Sequence, residues 1–224
     1  MIWYIKNSVT RKNLMAITGL FLSFFLIIHL AGNLQLLLPE ATAKLQYNSY
    51  SQFLGGNPLV IAISFVLYAC IILHTADAIY LAIKRRKANG ATYSRDRRGR
   101  ASTWYSRHMM ALGVIVFVFL VIHFKDYWYR YKFGDLPLDE NGNRDLYTLV
   151  MVSFEQLWYV ILYVIAIIAL GYHLLHGVFS AHRTIGLYHP VYNTIIKVLG
   201  IIFAVVITIG YIIIPVFIYI NHQL

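Results

Sequence analysis

The chain has 224 residues, 59% of them hydrophobic and 12% charged, with a formal net charge of +10. That balance excludes an ordinary soluble domain, in which about a quarter of residues are charged. The single cysteine, Cys70, excludes an internal disulfide, a c-type haem attachment motif and an iron–sulfur cluster held by this chain alone.

Five apolar stretches are long enough, at about 1.5 Å per residue, to cross a hydrocarbon core of roughly 30 Å. They run from Leu14 to Leu38, Leu59 to Ile83, Trp104 to Phe124, Leu157 to His182 and Tyr192 to Ile220. Runs of this length without alternation predict helices and not a barrel, because lipid offers the backbone no hydrogen-bond partners. The expectation is an all-α membrane protein, a single domain over residues 1–224 with five transmembrane helices in a bundle. The opening MIWYIKNSVTRKN carries basic residues but no cleavage site after a short apolar core, so the first segment is read as retained.

The connections differ in charge. Lys84 to Arg100 holds eight basic residues against one acid, Lys6, Arg11 and Lys12 precede the first segment, and Arg183 and Lys197 flank the link between the fourth and fifth. From Lys125 to Asp145 four basic residues meet five acids, and the polar link from Pro39 to Pro58 has little charge. The positive-inside rule then predicts a cytoplasmic N-terminus and an external C-terminus. Topology accounts for the positive charge without nucleic acid as a partner; the Lys84–Arg100 cluster could also dock an acidic soluble partner or lipid headgroups. Tyr and Trp gather near segment ends, as in WYSRH, KDYWYRY and QLWY, and are read as an interfacial belt. No internal repeat is evident.

Four segments carry a histidine at membrane depth: His29, His74, His123, and either His173 or His176. An ionisable side chain inside a span is costly and points to function. Counting from the basic residues that mark the cytoplasmic edge, His29 lies about 25 Å and His123 about 24 Å up, whereas His74 and His176 lie about 15 Å and 10 Å up. Depth sorts them into His29 with His123 on the outer side and His74 with His176 on the inner. A metal bound by side chains alone usually takes three or four ligands, but a haem iron needs two axial ones. Two bis-histidine haems, closed to oxygen, suit electron transfer across the bilayer. Gly32, Gly113, Gly171 and Gly177 could let a flat macrocycle approach the backbone, or serve helix packing. His173 and His176 share a helix face, so spacing does not choose between them. His182, His189 and His222 are read as solvated.

ITGLFLSFFLIIHL in the first segment, GVIVFVFLVIHF in the third and HLLHGVFSAH in the fourth resemble the five-helix dihaem cytochrome b subunit of succinate:quinone oxidoreductases, the succinate dehydrogenase and fumarate reductase family. The resemblance extends from Thr18 to about Tyr219. It implies axial ligation by His29, His74, His123 and His176, the last chosen over His173 because Gly177 follows it. It also implies two b haems and a quinone at the outer haem, commonly menaquinone. The partners implied are an iron–sulfur subunit and a flavoprotein subunit that carries the succinate chemistry, all at the bacterial inner membrane. Some fumarate reductases place a catalytic carboxylate before a Gly-Gly-x-Pro turn, which reads GGNP here; the corresponding residue is Asn48, and no acid lies between Lys44 and Pro58. Tyr47, Asn48 and Gln52 are candidate quinone contacts. Ser106, Arg107, His108, Ser180 and Arg183 are candidates for haem propionates or the iron–sulfur partner, since arginine binds carboxylates bidentately. Competing readings are the haem b subunit of a nitrate reductase or formate dehydrogenase, and a small proton-coupled transporter using the histidines as a relay.

Overall fold

The structure is a computed structural model that describes residues 7–88, 103–187 and 189–224. It is built from helices: α1 (Ser8–Asn33), α2 (Glu40–Gly56), α3 (Pro58–Ala88), the single turn α4 (Trp104–Arg107), α5 (Met109–His123), α6 (Arg130–Phe133), α7 (Leu146–Phe154), α8 (Leu157–Thr184) and α9 (Pro190–Gln223). A 3-10 turn, Leu34–Leu37, follows α1, and a π-helical stretch, Phe124–Tyr129, joins α5 to α6. Among the described residues there is no strand, only an isolated bridge between Leu138 and Arg144.

Local chemistry sets the helix starts. The Asn7 side chain accepts from the Val9 amide at the head of α1, and Asn57 Oδ1 accepts from Leu59 and Val60 ahead of α3, whose first residue is Pro58. Asp145 caps α7 by accepting from the Thr148 amide, and His189 precedes Pro190 at the start of α9. These are side-chain acceptors and N1 prolines where orphan N–H groups need them.

Five stretches are long and apolar enough to cross a membrane: Val9–Leu37, Pro58–Lys87, Met109–Phe133, Leu157–Thr184 and Val191–Gln223. They overlap the five expected segments, with shifted ends. The third is the most altered: the chain breaks helix at His108, so Trp104–Arg107 stands apart, and the π-helical stretch carries the span on to Phe133. Residues 89–102, with half of the basic cluster, lie outside the described residues, as do residues 1–6 with Lys6; Lys84 precedes the last turn of α3, which holds Arg85, Arg86 and Lys87.

The helix α8 is the hub. It packs on α9, α1 and α5, while α1 packs on α3. In its apolar window 44% is buried, against 6% for the windows in α3 and α5, which sets α8 at the centre and those two at the rim. The outward residues are apolar, among them Phe24, Phe65, Ile72, Val121, Ile165 and Val206, a surface that suits lipid and not water. Across the α1–α3 contact Arg11 pairs with the buried Asp77 and lies 4.4 Å from the Tyr80 ring centroid, so it is a structural cation as well as a topological charge.

The link from Pro39 to Pro58 is helical, where sequence suggested only a polar connection. With α7 and the loop 134–145 it forms a cap over the Asn33 end of the bundle. Asn48 is its keystone: fully buried, it donates through Nδ2 to Asp139 Oδ2 (3.2 Å) and Asp145 Oδ1 (3.1 Å) and accepts from the Tyr147 amide (2.9 Å). Lys44 Nζ lies 2.8 Å from Asp145 Oδ2. Gly142, at φ 77°, makes the turn that lets Asp139 accept from the amides of Asn141 and Asn143. Burial pushes the Asp145 carboxyl up, but hydrogen bonds from Lys44, Thr148 and Asn48 outweigh it and hold the group at about 2.

Candidate functional site

One continuous cavity of about 1480 Å³ runs through the bundle, lined by α1, α3, α5 and α8 and by residues of the cap. That exceeds the 300–1,000 Å³ typical of a pocket for one small ligand. His29, His74, His123, His173 and His176 all line it.

The imidazoles meet in two cross-helix pairs. The His29 and His123 ring centroids are 5.8 Å apart, and those of His74 and His173 are 6.2 Å apart. Depth along the helices separates the pairs. His74 touches α1 at Thr18, eleven residues before His29, and His123 touches α8 at Tyr163, ten residues before His173. At about 1.5 Å per residue the pairs stand roughly 15 Å apart along the bundle. The pairing of the first segment with the third and the second with the fourth follows the depth count. The fourth-helix partner differs: His173 faces His74, whereas His176, picked by the resemblance, lies 6.5 Å from Tyr105. Three residues change direction by roughly 60° round a helix of 3.6 residues per turn, enough to turn one imidazole to His74 and the other toward α4.

Hydrogen bonds hold the rings. His74 Nδ1 is 3.2 Å from the Met15 carbonyl oxygen and 3.2 Å from Thr18 Oγ1, and Thr18 itself donates to the Leu14 carbonyl. His123 Nδ1 is 3.1 Å from the Tyr163 hydroxyl. His29 Nδ1 is 3.5 Å from Asn33 Nδ2, and its ring stacks on Phe25 at 5.1 Å. The buried Nδ1 of His173 has no hydrogen-bond partner among the described residues.

Two imidazole nitrogens on one metal, each at about 2 Å, put the ring centroids roughly 6 Å apart, which the two pairs satisfy. Ordinary aromatic contacts span about 4.5–7 Å. What sets these apart is that both pairs cross the same cavity between helices, while Nδ1 of His74 and His123 is occupied by the protein. Among the described residues the histidines meet in twos, the number of side-chain ligands that a haem iron takes. Close approach is built in at Gly19, where a Cβ would come within 3.1 Å of His74 Cε1, a position the sequence reading missed. Gly113 and Gly177 also line the cavity. Gly171 and Gly32 do not serve it: an added Cβ would lie 2.3 Å from Thr208 Oγ1 of α9 and 2.7 Å from the Tyr50 ring, so both serve packing.

The other candidates scatter. Tyr47 lines the cavity and donates to Asn33 Oδ1 at 3.2 Å. Burial pushes its phenol up, so the hydroxyl stays a donor. Asn48 does not line the cavity; its amide is committed to the cap, which takes it away from any quinone. Gln52 does not line the cavity; it accepts from the Tyr131 hydroxyl at 3.3 Å in an adjoining cleft with Lys132 and Arg144, which shares Gly55, Tyr131 and Lys132 with the cavity. At the opposite end Ser180 lines the cavity, together with Lys12, Arg85 and Thr184, which sequence did not single out for this role. Ser106, Arg107, His108 and Arg183 do not line it; His108 stacks on Trp104, and the Arg183 guanidinium lies 5.7 Å from the Phe179 ring centroid.

Two tyrosines assigned to the lipid interface are core residues. Tyr159 and Tyr127 are buried: Tyr159 donates to Asp126 Oδ2 at 3.0 Å, and Tyr127 packs its ring against His123 and Tyr163, at centroid distances of 5.3 Å and 6.4 Å. Their signal was the four-residue spacing of Tyr159 and Tyr163, which puts both hydroxyls on one helix face. No family model, curated protein or solved structure matches the chain.

Proposed function

We propose that the chain is a membrane-embedded dihaem cytochrome b that carries electrons between an iron–sulfur protein and a quinone, as the anchor subunit of a succinate:quinone oxidoreductase. The observation that carries this reading is the presence of two cross-helix histidine pairs, roughly 15 Å apart, in one cavity. His29 with His123, and His74 with His173, would each hold one b haem through Nε2; His173 takes the place that the resemblance gave to His176. A bis-histidine haem supplies one-electron transfer with no open coordination site.

The protein's own groups hold and orient. Met15 and Thr18 fix the His74 ring, and Tyr163 fixes His123. Lys12, Arg85, Ser180 and Thr184 offer cations and hydroxyls to propionates at the His74 end. At the other end Tyr47 and Asn33 offer a hydroxyl and an amide to a quinone. Between the pairs the lining is mostly apolar, with Leu20, Leu67, Phe119 and Leu170. Succinate oxidation or fumarate reduction belongs to the flavoprotein partner, and the choice of that partner rests on the sequence resemblance. The same resemblance supports placement in the bacterial inner membrane, with the N-terminus cytoplasmic and menaquinone as the quinone.

A reduced-minus-oxidised absorbance spectrum of the purified chain tests this. A b-type signal from two haems per chain supports it, and a colourless protein favours the proton-coupled transporter. Association with a nitrate reductase or formate dehydrogenase catalytic subunit, in place of a flavoprotein, would reassign the complex.

A further inference from the structure

A chain of hydrogen bonds leaves the bundle interior at His123. Its Nδ1 lies 3.1 Å from the Tyr163 hydroxyl, that hydroxyl lies 3.2 Å from the Tyr159 hydroxyl, and Tyr159 lies 3.0 Å from Asp126 Oδ2. Tyr159 and Tyr163 are buried, and Asp126 Oδ1 faces the Lys125 ammonium at 3.5 Å. The π-helical stretch that begins directly after His123 contains Asp126, so the widened backbone holds the end of the run three residues after its beginning. Such local widenings recur at functional sites.

The order of donors follows from the far end. An ionised carboxylate only accepts, so the Tyr159 hydrogen points to Asp126. The Tyr159 oxygen is then the acceptor for Tyr163, and the Tyr163 oxygen is the acceptor for His123 Nδ1. The proton therefore stays on Nδ1, and Nε2 keeps its lone pair toward the cavity. Each donor in a run of this kind polarises the next. The other pair has a different arrangement: His74 Nδ1 meets the Met15 carbonyl and the Thr18 hydroxyl, and the carboxylate near it, Asp77, is paired with Arg11.

We infer that Asp126, acting through Tyr159 and Tyr163, is the positioning residue that fixes the tautomer of His123 and strengthens it as a metal ligand. This rests on the reading of His29 and His123 as haem ligands. An imidazole that donates toward a carboxylate is the more basic ligand and favours ferric over ferrous iron, which lowers the potential of that haem relative to one without the run.

The test is an optical redox titration of the full membrane-embedded chain, resolving the two haems. Tyr163→Phe and Asp126→Asn are expected to raise the potential of one haem and leave the other in place. A tenfold loss of ferric preference corresponds to about 59 mV for a one-electron couple. Asp126→Glu, which restores the carboxylate, is expected to return the potential toward that of the unmodified protein. Tyr159→Phe keeps the ring in its place and breaks the run two bonds from the histidine, so it reports even if Tyr163→Phe does not retain haem. Two haems with unshifted potentials in Tyr159→Phe and Asp126→Asn overturn this inference and leave the haem reading standing. An unmodified protein without pigment overturns both.

Discussion

His173 and His176 are the residues at which the amino-acid pattern and the three-dimensional arrangement part. Both sit on α8, line the cavity and lie at similar depth, but only His173 faces His74 across it. Replacing His173 by alanine is therefore expected to remove one of two haems, as is replacing His74, whereas His176→Ala retains both; haem content per chain by pyridine haemochrome assay checks this. Asn48 makes a second residue-scale case. Its loss in Asn48→Ala takes one donor from each of Asp139 and Asp145, which keep Asn143 and Thr148, and leaves the Tyr147 amide without its acceptor, at a cost of about 1–3 kcal/mol. Hydrogen exchange in residues 134–148 is expected to rise while exchange in the middle of α8 does not.

At the scale of elements, the cap owes part of its stability to ionised Asp145. Its folded carboxyl is held at about 2, below the ordinary value of about 3.9, so the contribution is complete above the unfolded value and is lost as pH falls through the folded one. Loosening of the cap between about pH 4 and pH 2, read by proteolysis of the loop, checks the sign, and Asp145→Asn is expected to flatten that dependence. The α8–α9 contact is closed by Gly171 against Thr208, which donates to the Ala204 carbonyl and so has little room to turn. Gly171→Ala is expected to lower the thermal midpoint in detergent, with a cost of about 1–3 kcal/mol from overpacking.

The five long helices were legible because twenty-residue apolar runs have one solution in lipid. The order of the histidines along the bundle followed from their distances to basic edge residues. What was not legible depends on rotation about a helix axis, which depth does not constrain. That covers the choice of His173, the inward turn of Tyr159 and Tyr127, and the commitment of Asn48 to the cap. The helix α2 was hidden for another reason: its apolar face is short, with Ala43 and Tyr47 buried, and its third buried residue, Asn48, is a polar hydrogen-bond hub.

The whole molecule is a set of five apolar helices whose outward faces suit lipid and whose interior is not filled by its own side chains. Native interiors are close-packed, so a cavity of about 1480 Å³ crossed by two imidazole pairs asks for resident groups of matching shape. The most direct test is quantitative haem analysis with reduced-minus-oxidised spectroscopy on the purified chain and on His123→Ala and His173→Ala. The account predicts two b haems in the unmodified protein and one in each variant, with the surviving haem different in the two. A protein that binds no haem, or one whose haem content is unchanged by either substitution, would contradict it.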